Sequence, residues 1–119
     1  MSTVPGVKDE VRVDGETKIG GFRFQKYLKE KVVHIHDPED GKTEYTIKEF
    51  LKHTDKFMTR LKDIQEGETI KLLDLKVNCV SDDWRGKKVE LELDCCSDTV
   101  KLDVFKDKMK EFVRLLEKR

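Results

Sequence analysis

Residues 45–61 read YTIKEFLKHTDKFMTRL and decide the fold, because they combine the end of a strand with an amphipathic helix. Thr46 and Glu49 match a capping box, in which two side chains bond to the free backbone donors at a helix N-terminus. Phe50 and Phe57 recur at helical spacing and belong to one apolar stripe. The stretch therefore predicts a strand that leads directly into a helix.

The same design returns near the C-terminus, where residues 100–116 read VKLDVFKDKMKEFVRLL. Aligning the two stretches pairs Phe50 with Phe105 and Phe57 with Phe112. A helix that repeats its apolar stripe in this way is expected to bury that stripe in the same kind of environment twice. The chain is therefore predicted to contain two related structural units.

Strand-like patterns precede both copies and complete the two units. Apolar and polar residues alternate over residues 31–37 and again over residues 88–95, which is typical of strands with one buried face. We therefore predict a single globular domain made of two repeats, residues 11–66 and residues 67–119. A flexible arm of residues 1–10 is expected to precede it, because that segment shows no periodic pattern.

Turn residues divide each unit into short strands. Asp14–Gly15 favours a tight hairpin turn, and Gly20–Gly21 indicates a bulge or bend inside the strand of residues 17–28. Residues 70–80 form the longest strand candidate of the second unit. The predicted fold class is α+β, with the order ββββα followed by βββα. Because each sheet has one apolar face, we expect curved antiparallel sheets, each closed by its C-terminal helix.

Composition restricts the class of function. The 25 lysines and arginines balance 25 acidic residues, whereas proteins dedicated to duplex DNA are usually basic. Neutrality still allows one local basic face.

No apolar run approaches the roughly 20 residues of a membrane span, and the N-terminus lacks the apolar core of a signal peptide. Three cysteines, two of them adjacent, do not make a disulfide framework, so we expect an intracellular protein that binds no membrane.

Residues 22–57, FRFQKYLKEKVVHIHDPEDGKTEYTIKEFLKHTDKF, resemble a known pattern. Two alternating strands, an acidic turn with glycine, a third strand and a helix entered through Thr are similar to the single-stranded-nucleic-acid-binding superfamily. That superfamily includes the PUR-repeat proteins, the plant Whirly proteins and related transcriptional coactivators. The resemblance implies a curved sheet that binds single-stranded DNA or RNA. The second unit departs from the pattern, because its outward face carries Glu90, Glu92 and Asp94.

The polar face of the first unit's sheet is the main candidate site. Cations interleaved with an aromatic ring suit a single strand, because cations contact phosphates and a base stacks on the ring. An ordinary solvated strand face is the alternative. A tryptophan in the turn of residues 82–86 is either a further stacking anchor or a cover over its own sheet. The candidate nucleic-acid-binding residues are Arg12, Arg23, Gln25, Tyr27, Lys29, His34, His36 and Trp84.

Metal binding and catalysis are not predicted. His34 and His36 share one strand face about 6–7 Å apart, which also occurs in metal sites, but no CxxC or second histidine pair completes four ligands. Strand parity predicts that Cys79 and Cys95 are buried and that Cys96 points outward. The sequence contains no Walker loop, GxSxG, HExxH or GxGxxG motif, so we expect no enzymatic activity and no cofactor.

These observations predict a module that binds single-stranded DNA or RNA through the first unit's sheet. The alternative is a non-enzymatic protein-interaction or oligomerisation module, with a homodimer as one possibility. In that alternative the acidic face of the second sheet or a helix surface would contact the partner. The basic and aromatic residues of the first sheet favour nucleic acid, and the neutral net charge favours a protein partner.

Overall fold

Each of the two repeated stretches closes a separate antiparallel sheet. A computed structural model describes residues 13–94 and 96–118. The first unit consists of β1 (Gly15–Ile19), β2 (Phe22–Tyr27), β3 (Val32–His36), β4 (Lys42–Thr46) and helix α1 (Ile47–Lys62). The second consists of β5 (Thr69–Leu72), β6 (Leu75–Asp83), β7 (Gly86–Leu93), β8 (Cys96–Lys101) and helix α2 (Leu102–Glu117). In both sheets the strands follow their order in the chain, and the predicted α+β fold class is confirmed.

The second unit has four strands where the sequence predicts three. A turn at Leu73, which adopts a φ of 58°, splits the predicted strand of residues 70–80 into β5 and β6. Gly20 adopts a φ of 59° at the equivalent turn between β1 and β2. The first hairpin turn therefore lies at Gly20–Gly21 and not at Asp14–Gly15. Glycine reaches positive φ at little cost, whereas a leucine in that conformation leaves no turn signal in the sequence.

The register of the strand pairs repeats between the two units. Ile19 faces Phe22 across the first turn, just as Leu72 faces Leu75 across the turn between β5 and β6. All four side chains are fully buried. Because a slip of one residue would turn every apolar side chain to the other face, the buried residues fix the same register in both sheets.

Four phenylalanines join the two helices through two equivalent ring pairs. The ring centroids of Phe50 and Phe112 are 5.6 Å apart with an interplanar angle of 90°. Those of Phe57 and Phe105 are 6.0 Å apart with an angle of 88°. The sequence alignment pairs Phe50 with Phe105 and Phe57 with Phe112, so exchanging the units converts one ring pair into the other. The two helices are therefore related by an approximate two-fold.

Each helix packs on both sheets, so the two units share one core. Helix α1 contacts β3 and β4 of its own unit and β5 of the other, while α2 contacts β7 and β8 and also β1 and β2. Phe112 reaches the first sheet directly, where its centroid lies 5.7 Å from that of Phe24. Neither unit therefore buries the apolar stripe of its helix alone.

Polar contacts also connect the two units. The ammonium group of Lys26, which is buried on the apolar side of β2, donates to the carbonyl oxygens of Leu115 and Lys118 at the end of α2. These carbonyls carry the partial negative charge of a helix C-terminus, which favours a cation. The hydroxyl of Tyr45 donates to Asp74 at 2.6 Å, and burial together with this bond raises the pKa of Tyr45 to about 12. No helix in the described part of the chain is long and apolar enough to cross a membrane.

Candidate nucleic-acid interface

A row of basic residues crosses the outward face of the first sheet. Lys18 faces Arg23 across β1 and β2, and Arg23 faces His36 across β2 and β3. His36 in turn faces Lys42 across β3 and β4. Directly paired residues have side chains on one face with Cβ atoms about 4.5–5.5 Å apart. These four residues, called the basic row below, therefore form a continuous line over all four strands.

The cations of the basic row have no acidic partner within residues 13–94 and 96–118. Lys18, Arg23 and Lys42 form no ion pair with any other residue of the described ranges. The next row on the same face, called the polar row below, consists of Glu16, Gln25, His34 and Glu44. Its two acids have polar partners within that row. Glu16 accepts a hydrogen bond from the amide of Gln25 at 2.7 Å. In the same row, Glu44 lies 3.0 Å from Nε2 of His34.

Tyr27 and His34 lie on this face as predicted, but they are not exposed. Only 7% of Tyr27 and 8% of His34 are accessible, because their rings pack on each other with centroids 4.3 Å apart. The Tyr27 hydroxyl donates to Gln25 at 2.7 Å, and burial raises the pKa of Tyr27. The expected open stacking platform is therefore wrong. Tyr27 instead anchors the polar row beside the basic row.

His36 is the uncharged member of the basic row. Its Nε2 is buried and has no hydrogen-bond partner among the residues described. Burial is the main cause that lowers the pKa of His36; the cations Arg23 and Lys42 lower it further, and the carboxylate of Glu16 acts in the opposite direction. The imidazole is thus held neutral between two permanent cations. An anion placed on the row would act in the opposite direction and raise that pKa.

Acid should destabilise the fold through His36. Because its pKa is lower in the folded protein than the unfolded value of about 6.5, the unfolded chain binds the proton more readily. The contribution of neutral His36 to stability is complete above the unfolded pKa and is lost as pH falls through the folded pKa. We expect the free energy of unfolding in urea to fall more between pH 7.5 and pH 5 in the parent than in His36→Gln. An equal decline in both proteins would contradict this assignment.

Lys29 and Trp84 lie away from the basic row. Lys29 is exposed in the turn between β2 and β3. Trp84 is 90% exposed at the tip of the hairpin between β6 and β7, with the guanidinium of Arg85 5.3 Å from its ring centroid. It therefore does not fold back over its sheet, and it belongs to the second unit. Arg12 lies outside the described residues.

Sequence reasoning missed Lys18 and Lys42, the two ends of the basic row. Both lie on edge strands, and both are on the same sheet face as Arg23 and His36, which the sequence identified on the central strands. The signal for Lys18 was its alternation with Thr17 and Ile19, which are buried. The register that places it beside Arg23 depends on the turn at Gly20, which the sequence did not identify as a hairpin.

The equivalent row of the second sheet is different. Lys71 faces Lys76, which corresponds to the pair of Lys18 and Arg23. Beyond that pair, Glu92 faces Lys76 where the first sheet has His36, and Ser97 stands where it has Lys42. An acid thus interrupts the line of cations. A continuous basic row is therefore a feature of the first unit alone.

The described cysteines and histidines do not gather into a metal site. The described ranges contain no group of three or more His, Cys, Asp or Glu that could hold a metal ion. Cys79 is buried as predicted, and burial raises the pKa of its thiol. The outward orientation predicted for Cys96 is wrong, because β8 begins at Cys96 opposite Leu93 and this residue is 5% exposed. Cys95 lies outside the described residues.

Comparisons with known proteins found no relative. No protein-family model matches the sequence, and searches of the curated proteins and of the solved structures returned no significant match. The function must therefore be inferred from the geometry of the molecule itself.

Proposed function

We propose that the protein binds single-stranded DNA or RNA through the outward face of the first unit's sheet. The observation that carries the proposal is the basic row, in which Lys18, Arg23 and Lys42 have no acidic partner among the described residues. Lys18 and Arg23 are like charges directly opposite each other, which destabilises a sheet, so the free protein holds this pair at a cost. Phosphate groups along a polyanion would offset that repulsion.

The size of the row favours a single strand over a duplex. With strands about 4.8 Å apart, four residues in line span roughly 14 Å. Three permanent cations can neutralise about three phosphates, whereas duplex-binding proteins commonly make 6–10 such contacts. The neutral net charge of the chain agrees with a short local contact and provides no general attraction to a duplex.

Phosphate contacts are expected to provide most of the affinity, and base contacts little. The aromatic ring of Tyr27 is covered, and the amide of Gln25 is engaged by Glu16 and Tyr27. The side chains that would read bases are therefore already bonded within the sheet. Binding should consequently depend weakly on nucleotide sequence and strongly on salt.

Fluorescence anisotropy with a labelled 20-nucleotide thymidine strand, a uridine strand and a matched duplex tests the proposal. We expect a single strand to bind more tightly than the duplex. Three phosphate contacts on a single strand correspond to a salt slope near −2, so the affinity should fall about twenty-fold between 50 and 200 mM salt. Binding that ignores salt, a preference for the duplex, or no binding at low salt would reject the proposed function.

A further inference from the structure

A groove with a volume of about 590 Å³ runs between the two helices. Its apolar surface comes from three half-buried side chains, Leu51 and Met58 of α1 and Val113 of α2. Charged residues line its sides. The cations are Lys62, Lys106, Lys110 and Arg114, and the acids are Asp55 and Glu117. None of the residues that form the basic row lines this groove.

The groove has the length of a helical segment. Its lining on α1 begins at Leu51 and recurs at Thr54, Asp55, Met58 and Lys62, which is one face of a helix. Leu51 and Lys62 are eleven positions apart, and a rise of 1.5 Å per residue puts them roughly 16 Å apart along the helix. An occupant that follows both helices over this distance needs about three turns of its own. A helix of a partner, docked by apolar residues at positions i, i+3 or i+4, and i+7, matches that shape.

The charge around the groove selects an acidic occupant. Lys62, Lys106, Lys110 and Arg114 form no ion pair with another residue of the described ranges, although Lys108 does so nearby with Glu111 at 3.9 Å. Four cations against two acids leave the groove positive. A second copy of this chain docked groove to groove would bring cations onto cations, because a two-fold interface places the same surface on both sides. That arrangement is disfavoured, whereas carboxylates beside an apolar stripe complement the groove.

We propose that the groove between the helices binds an acidic amphipathic helix of a partner protein. Apolar side chains of the partner cover Leu51, Met58 and Val113, and its Asp and Glu residues lie beside Lys110 and Arg114. The helices pack against the apolar faces of the sheets, whereas the basic row lies on an outward face. Nucleic acid and partner therefore occupy separate surfaces of one module. This inference is independent of the proposed function, because it uses none of the residues of the basic row.

Selection from a displayed library of random 16-residue peptides against the full chain tests this inference. We expect enriched peptides to be acidic and to carry apolar residues at three- and four-residue spacing. A synthetic enriched peptide should bind the variant Lys110→Glu with Arg114→Glu at least tenfold more weakly. The matched control is Lys52→Glu with Lys56→Glu, the same spacing on exposed positions of α1 outside the groove, and it should stay within twofold of the parent.

Two further measurements separate the loss of charge from poor folding and the groove from the nucleic-acid site. Lys110→Gln with Arg114→Gln removes the charges without adding repulsion, and it should weaken the peptide about threefold or more even if the reversed variant folds poorly. A 20-nucleotide thymidine strand should not displace the peptide. Enrichment of basic or uncharged peptides, no enrichment at all, equal loss in the control variant, or displacement by the oligonucleotide would overturn the inference.

Discussion

Replacing Phe112 with alanine should lower the free energy of unfolding by about 3–5 kcal/mol, the usual penalty for emptying a buried aromatic site. The ring is fully buried and packs edge-on against two others, Phe24 of the first sheet and Phe50 of α1. Its loss therefore opens the core at the point where α2 meets the first unit. A domain of this size is commonly stable by only about 5–15 kcal/mol, so the loss is a large fraction of its total stability.

The free energy of unfolding in urea is compared for Phe112→Ala, Phe57→Ala and Val104→Ala. Phe57→Ala should also be costly but less so, because Phe57 is 3% exposed and its ring contact is with Phe105 alone among the described aromatic residues. Val104→Ala on α2 is the control, since its side chain is 44% exposed and surface changes usually stay within about 0.5 kcal/mol. If Phe112→Ala behaved like Val104→Ala, the shared core described above would be incorrect.

Local periodicity predicted the architecture well. The apolar stripe of residues 45–61 and its repeat depend on neighbours three or four positions apart, which a sequence shows directly. The alignment of Phe50 with Phe105 and of Phe57 with Phe112 was therefore sufficient to anticipate two equivalent helices. The structure adds that the rings pair across the units, which no local pattern encodes.

Register and turns were the parts that the sequence did not reveal. The turn at Leu73 has no glycine, and the turn after Leu93 changes the parity that had placed Cys96 outside. A change of one residue at a turn moves every following side chain to the opposite face, so such errors spread along a strand. The burial of Tyr27 likewise depends on a diagonal contact with His34 on the neighbouring strand, and that information belongs to tertiary structure.

In the candidate site, too, the sequence pattern identified single residues and the strand register was needed to bring them together. Arg23 and His36 were identified on their strands, and the register then joined them to Lys18 and Lys42 in one row. Lys29 had been placed on the polar face of the first sheet with Arg23 and Tyr27, yet β2 ends at Tyr27 and Lys29 lies in the following turn. Alternation along one strand was thus a weaker guide than strand pairing.

Removing two cations from the basic row is expected to weaken single-strand binding about 25-fold at 0.1 M salt. Each phosphate contact on a single strand contributes about 0.7 to the logarithmic salt slope, and Lys18→Ala with Arg23→Ala deletes two of the three permanent cations. The second sheet offers a matched control. Lys71→Ala with Lys76→Ala removes the same charge from the corresponding strand pair, where Glu92 interrupts the row, and it should leave affinity nearly unchanged.

The salt slope of single-strand affinity in these three proteins is the most direct measurement of whether the first sheet binds nucleic acid. The parent and the Lys71/Lys76 variant should both give a slope near −2, and the Lys18/Arg23 variant should give about −0.7. Equal changes in the two variants would show that binding follows total charge and has no preferred face. An unchanged slope in the Lys18/Arg23 variant would contradict the basic row as the site.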